Sequence, residues 1–190
     1  MVRRFFDLKV DVSTPGRWYL ADPTSFAGQR LEDVWQFIGG RAVEDPGPLR
    51  VPLFRPGMPI DIDFAGVGQT PIISERVARV LRGMAPDDVQ LFPVEVEGQS
   101  HPYYLLNVSR TVRCIDDKAS KEVRLWTPEH GQPEKVGRYR AVYGLRIDTS
   151  KVGEEQVFRT WGWRSPIIVA GELKEALERT GITGGRFDEV

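Results

Sequence analysis

Ile73–Asn107, ISERVARVLRGMAPDDVQLFPVEVEGQSHPYYLLN, is the stretch whose reading decides the fold. Ser74 stands where a helix N-cap belongs, and Glu75 suits the positive end of the helix dipole. Val77, Val80, Leu81 and Met84 make one apolar stripe, with Ile73 as lead-in and Gly83 as the expected stop. Val89 to Val96 is rich in strand-forming residues, Glu97-Gly98-Gln99-Ser100 reads as a turn, and the run from Tyr103 to Ile115 returns. A short helix leading into a hairpin, with no catalytic constellation on it, points to an α+β scaffold that binds rather than reacts.

Upstream, Phe6, Leu8, Val10 and Val12 alternate with Asp7, Lys9 and Asp11, the period of a half-buried strand. Thr14-Pro15-Gly16-Arg17 reads as a turn and Arg17-Trp18-Tyr19-Leu20 as the strand returning from it. Leu31, Val34, Trp35 and Ile38 have helical spacing, with Gly39-Gly40 as the stop. Five prolines and two glycines between residues 44 and 59 predict an irregular connector, because proline lacks an N–H and fixes φ. The connector divides the chain into residues 1–58, a small strand-and-helix element, and residues 59–190, the main α+β unit; a single continuous domain is the alternative. Ile60, Ile62 and Phe64 alternate with Asp61 and Asp63 as a short strand.

Downstream, strands are expected at Val123 to Trp126, Tyr139 to Ile147, Val157 to Trp163 and Ile167 to Val169, with a turn at Glu129-His130-Gly131. Tyr139, Ala141, Tyr143, Leu145 and Ile147 share one face of their strand; Arg138, Arg140 and Arg146 share the other. Leu173, Ala176 and Leu177 mark a final helix, with a Glu175–Arg179 pair, Gly181 as cap and Ile182 folding back. The expected fold class is α+β, a mostly antiparallel sheet with about three short helices packed on it.

The 190 residues carry 26 Lys plus Arg and 27 Asp plus Glu, a net charge of −1, which argues against a dedicated nucleic-acid binder. A lone cysteine, Cys114, forms no intramolecular disulfide and suits a reducing compartment. The basic start lacks the apolar core of a signal peptide, and no run reaches the ~20 apolar residues of a membrane span, so a cytoplasmic protein is expected.

Reactive candidates are few. A nucleophile needs a positioned base, and the available pair is Cys114 with His101; Cys114 sits in a β-rich run where a buried thiol is the ordinary reading. His130 lies in a turn. Asp61-x-Asp63 puts two carboxylates on one strand face and Asp116-Asp117 lies in a loop, but no metal motif accompanies them, and a solvated face is the plainer reading. No metal and no cofactor is expected. Gly66-Val67-Gly68-Gln69 lacks the Lys and Ser/Thr of a phosphate loop and reads as a loop ahead of the helix. Trp161-Gly162-Trp163-Arg164 puts two tryptophans on one strand face, as core or as interface.

The ensemble carries more. Asp87 to Val108 (DDVQLFPVEVEGQ…PYYLLNV) is followed by Cys114-Ile115-Asp116, then Gly137-Arg138-Tyr139-Arg140, Leu145-Arg146-Ile147-Asp148, Val157-Phe158-Arg159 and finally LKEALERTGITGGRF. In this order the motifs resemble immunity family eleven of bacterial polymorphic toxin systems, over about residues 60–190. The resemblance implies a non-enzymatic protein that protects its producer, and its kin, by binding a cognate toxin domain encoded by an adjacent gene. It implies no catalytic residue. If the toxin is a nuclease, acidic side chains should face its basic groove: Asp87, Asp88, Glu95 and Glu97 near the hairpin, Asp116 and Asp117 in the loop. Tyr103, Trp161 and Trp163 are the aromatic anchors, where exposed. A regulatory interaction module without a toxin and a small hydrolase-like enzyme using His101 and Cys114 are the alternatives, and the oligomeric state is left open.

Overall fold

The computed structural model describes residues 3–190. The chain runs β1 (Phe5–Val10), β2 (Tyr19–Leu20), β3 (Thr24–Ser25), β4 (Leu49–Val51), β5 (Leu53–Arg55), β6 (Ile62–Ala65), β7 (Thr70–Ser74), α1 (Glu75–Met84), β8 (Val89–Val96) and β9 (Tyr103–Val108). It continues through β10 (Thr111–Val112), β11 (Glu122–Leu125), β12 (Tyr139–Tyr143), β13 (Val157–Thr160), β14 (Trp163–Ala170), α2 (Gly171–Arg179) and β15 (Gly185–Glu189).

Two larger sheets carry the fold, in the orders β3-β4-β8-β9-β7-β6 and β10-β13-β14-β1-β15. The hairpin β8–β9 is paired from Val89↔Val108 to Val94↔Tyr103, as the opening stretch predicts. The α+β class holds, with two corrections. The sheets are mixed, because β4 runs parallel to β8 and β10 parallel to β13. There are two α-helices among the described residues, not three.

The missing helix is Leu31–Ile38. Asp33 Oδ1 accepts the Trp35 N–H at 2.8 Å, a side-chain turn that competes with helical bonding, and only the 3-10 turn Gln36–Ile38 forms. Phe37, not the predicted stripe, is the buried residue there. Helix α1 runs past Gly83 to Met84, and Pro86 bars its continuation. Helix α2 ends with Gly181 at φ +65°, where Ile182 packs back on the core; its i,i+4 pair is Lys174–Glu178 at 2.7 Å.

Long-range pairing departs furthest from expectation. β1 is not half-buried: Phe5 to Leu8 are all buried, because β1 lies between β14 and β15. β2 does not return along β1 but pairs with β5. The proline-rich segment supplies both β4 and β5. Strand β15, unforeseen in the sequence, closes the second sheet along β1. Asp61 and Asp63, read as a solvated face, are buried. Gly66–Gln69 forms the turn of the β6–β7 hairpin.

Three apolar cores result. Helices α1 and α2 cover a shared core between the sheets, built on Phe6, Leu8, Val77, Leu81, Leu106, Val169 and Leu177. Trp18, Phe37, Leu49, Val51 and Leu105 fill a second, under the outer face of the six-stranded sheet. Phe5, Cys114, Ile147, Phe158 and Ile168 form a third, on the far side of the five-stranded sheet.

Candidate protein-binding surface

The site begins where β14 parts from β1. Their ladder ends at Asp7↔Ile168, whereas β1 stays paired with β15 as far as Val10↔Gly185. A bulge causes the parting: β13–β14 pairing jumps from Phe158↔Ile168 to Thr160↔Trp163. Arg159 fills the bulge. Its side chain is 1% exposed, and Nη1 donates to the carbonyls of Arg164 (2.7 Å) and Ser165 (3.1 Å). Burial lowers this guanidinium to about 10, so it is still a cation at neutral pH. Its Nε and Nη2 take no protein partner.

The gap is an open cleft of about 770 Å³. Val12, Trp35, Phe64, Val142 and Trp163 give it apolar walls, and Asp7, Lys9, Arg146 and Arg159 place charges along it. Trp35 is half exposed. A second hollow of about 500 Å³ shares Val10, Val12, Phe64 and Gln69 with the first. Phe54, 81% exposed, lies on its rim, and the Tyr19 ring there is stacked by both Arg17 (4.1 Å) and Arg55 (4.0 Å). Contiguous exposed apolar surface of this kind is a mark of interaction sites.

Beside the cleft stands a two-stranded arm, β11 with β12, paired from Glu122↔Tyr143 to Leu125↔Tyr139. Both ends of its ladder are tied to the body. Tyr139 donates its hydroxyl to Asp117 at 2.6 Å, and its ring lies against Gly162, whose added Cβ would come within 3.0 Å of it. Ile115 bridges Ile147.

The sequence-predicted acids and tryptophans fall into three places. Asp116, Asp117, Trp161 and Trp163 meet at the arm base. Asp116 accepts the N–H groups of Lys118 and Ala119, Arg113 stacks over Trp161 at 4.3 Å, and both tryptophans are half-buried, Trp161 in the β13–β14 turn and Trp163 at the start of β14, not on one strand face. Asp87 and Asp88 lie together at the α1–β8 turn. Asp87 is exposed, whereas Asp88 is buried and accepts from the Gln156 and Val157 N–H groups while pairing with Arg110. Glu95 and Glu97 sit at the far end of the hairpin; Glu95 pairs with Arg50 at 3.0 Å and Glu97 accepts the Leu53 N–H at 2.8 Å. Tyr103 is buried against Trp18, and burial pushes its phenol up to about 12.

His101 and Cys114 are not brought together. His101 is exposed near the β8–β9 turn, while Cys114 is buried with Phe5 and Phe158, where burial pushes its thiol up to about 12. Among the described residues no cluster of His, Cys, Asp and Glu has the makings of a metal site, and no helix is long and apolar enough to cross a membrane. Nothing in the sequence marks Trp35, Val12 and Phe54 as surface groups: Val12 and Trp35 stand in apolar spacing that reads as core and Phe54 in the proline-rich connector, and only the tertiary structure leaves them exposed.

A search of curated proteins finds no match to this chain. A model of the immunity protein family (Imm11) matches residues 50–190, a span that holds the β8–β9 hairpin, the arm, the bulge and α2. The chain therefore belongs to the Imm11 immunity protein family.

Proposed function

We propose that this protein neutralises a cognate toxin domain, encoded by an adjacent gene in a bacterial polymorphic toxin system, by binding it one-to-one and occluding it in the cytoplasm of the producing cell. Family membership supports a toxin as partner. The observation that carries binding, as against turnover, is the contiguous apolar and aromatic cleft flanked by the arm. Rigid aromatic and arginine side chains around a partly apolar surface are what tight protein interfaces use. Two sheets sharing one core hold that surface rigid, which limits the entropy lost on association.

A nuclease is the narrower reading of the toxin. It draws on the exposed carboxylates Asp87, Glu95, Glu97 and Asp117 as phosphate mimics. Of these, Glu95, Glu97 and Asp117 already hold partners within the chain.

The test is co-expression with the C-terminal domain encoded beside it, scored for survival, followed by purification of the complex. Survival with a stable complex supports the proposal. Unrelieved toxicity, with both proteins soluble and no complex, overturns it.

A further inference from the structure

We infer that the β11–β12 arm, residues 121–144, is the docking element for the toxin and that it receives an acidic face of that domain; this rests on the immunity reading above. The arm is continuously paired, with one bulge between Arg124 and Leu125, and its ladder is extended by Lys121 N–H to Gly144 O at one end and Trp126 N–H to Arg138 O (2.9 Å) at the other. Yet none of residues 121–144 is buried. A two-stranded hairpin alone is at best marginally stable in water. This one leaves Leu125, Val136 and Tyr143 exposed and Trp126 and Val142 only half covered.

Its charge points to the partner. Within the arm Lys121, Arg124, Lys135, Arg138 and Arg140 stand against Glu122, Glu129 and Glu134, a positive excess in a chain whose total is −1; at the base Lys118 and Arg146 are balanced by Asp116 and Asp117. Three of the cations lie over rings: Lys135 over Trp126 at 4.9 Å, Arg140 over Trp126 at 6.0 Å and Arg124, which also pairs with Glu122 at 2.6 Å, over Tyr143 at 5.9 Å. Such pairs are preorganised to meet carboxylates while their rings bury apolar area. Exposed Leu125 and Val136, and glutamates interspersed among the cations, suit a protein surface better than a phosphate backbone. Two like-charged arms repel, which disfavours a second copy of this chain as occupant. Val142 and Arg146 continue the arm into the cleft wall, so arm and cleft form one surface.

Two variants test this against the toxin domain encoded by the adjacent gene. In the first, residues 122–143 are replaced by an Asn-Gly turn joining Lys121 to Gly144. In the second, R124E, R138E and R140E are combined. No residue of the arm is fully buried, so both variants should still unfold cooperatively. The charge-reversed protein should keep the wild-type melting temperature within a few degrees, and the arm-less protein should melt somewhat lower because it loses the Tyr139 bond to Asp117 and the packing on Gly162. The arm-less protein should lose affinity by at least about 100-fold, the scale of two or more lost hot spots. The charge-reversed protein should associate more slowly and lose the salt dependence of the wild-type on-rate. A folded arm-less protein that binds and protects like wild type overturns the inference and leaves the immunity reading standing. Unchanged association by the charge-reversed protein overturns the acidic face. A wild-type protein that neither binds nor protects overturns the immunity reading itself.

Discussion

Ser74 donates its hydroxyl to Asp61 Oδ1 at 2.6 Å and makes no side-chain cap to helix α1, although it occupies the N-cap position. Asp61 Oδ2 meanwhile accepts the N–H and hydroxyl of Thr183, at 2.9 and 3.0 Å. One buried carboxylate thus ties the start of β6, the start of α1 and the turn leading into β15. Asp61→Ala leaves these donors unpaired, and a loss of about 3–5 kcal/mol is expected, the scale for breaking a buried charged network. Ser74→Ala should lose about 1–2 kcal/mol. Urea unfolding of both variants checks the order; equal effects would show that Asp61 is no hub.

Removing residues 1–58 takes β1 from between β14 and β15, β3 and β4 from the edge of the six-stranded sheet beside β8, and Trp18, Phe37, Leu49 and Val51 from the second core. We expect residues 59–190 alone to show no cooperative unfolding transition, so that the chain is one folding unit. A fragment with a sharp transition would establish two.

Cys114 should resist iodoacetamide at pH 8 in the folded protein and react once urea exposes it, since burial holds the thiol protonated far above that pH. Rapid native labelling would reopen a chemical role for it.

Asp7 is raised above its ordinary 3.8 by burial, opposed by Lys9, while Asp188 across β15 adds repulsion. The folded state therefore binds this proton more tightly than the unfolded chain. Its contribution to stability is full below 3.8 and is lost as pH rises through the folded value. Asp7→Asn should be more stable than wild type at pH 7, with the advantage disappearing near pH 3.5. Lys9 keeps Asp188 at 2.8 Å, while the buried Arg159 guanidinium loses the attraction of Asp7, which offsets part of the gain. A variant less stable than wild type at pH 7 contradicts this account.

The local elements were legible because their signals are local. Alternation around Gly98 specifies the β8–β9 hairpin, and the helical spacing of Val77 and Leu81 specifies α1. Where a short-range side-chain bond competes, as Asp33 does at Trp35, spacing misleads. The pairing of β2 with β5 and of β15 with β1 depends on cores assembled from distant segments, and Gly185–Glu189, alternating but short and polar, carries little signal. At the site, composition pointed to acids and tryptophans. It was burial that separated Asp88, a structural acceptor, from exposed Asp87. Burial too showed Arg138 and Arg140 to lie exposed on an arm that has no fully buried residue.

The most direct measurement is a titration of the purified toxin domain's activity with this protein, alongside light scattering of the mixture. Binding by occlusion predicts that activity falls linearly to zero at one equivalent, with a complex of one copy of each. Complete inactivation by a small fraction of an equivalent, or full activity at an excess, contradicts it.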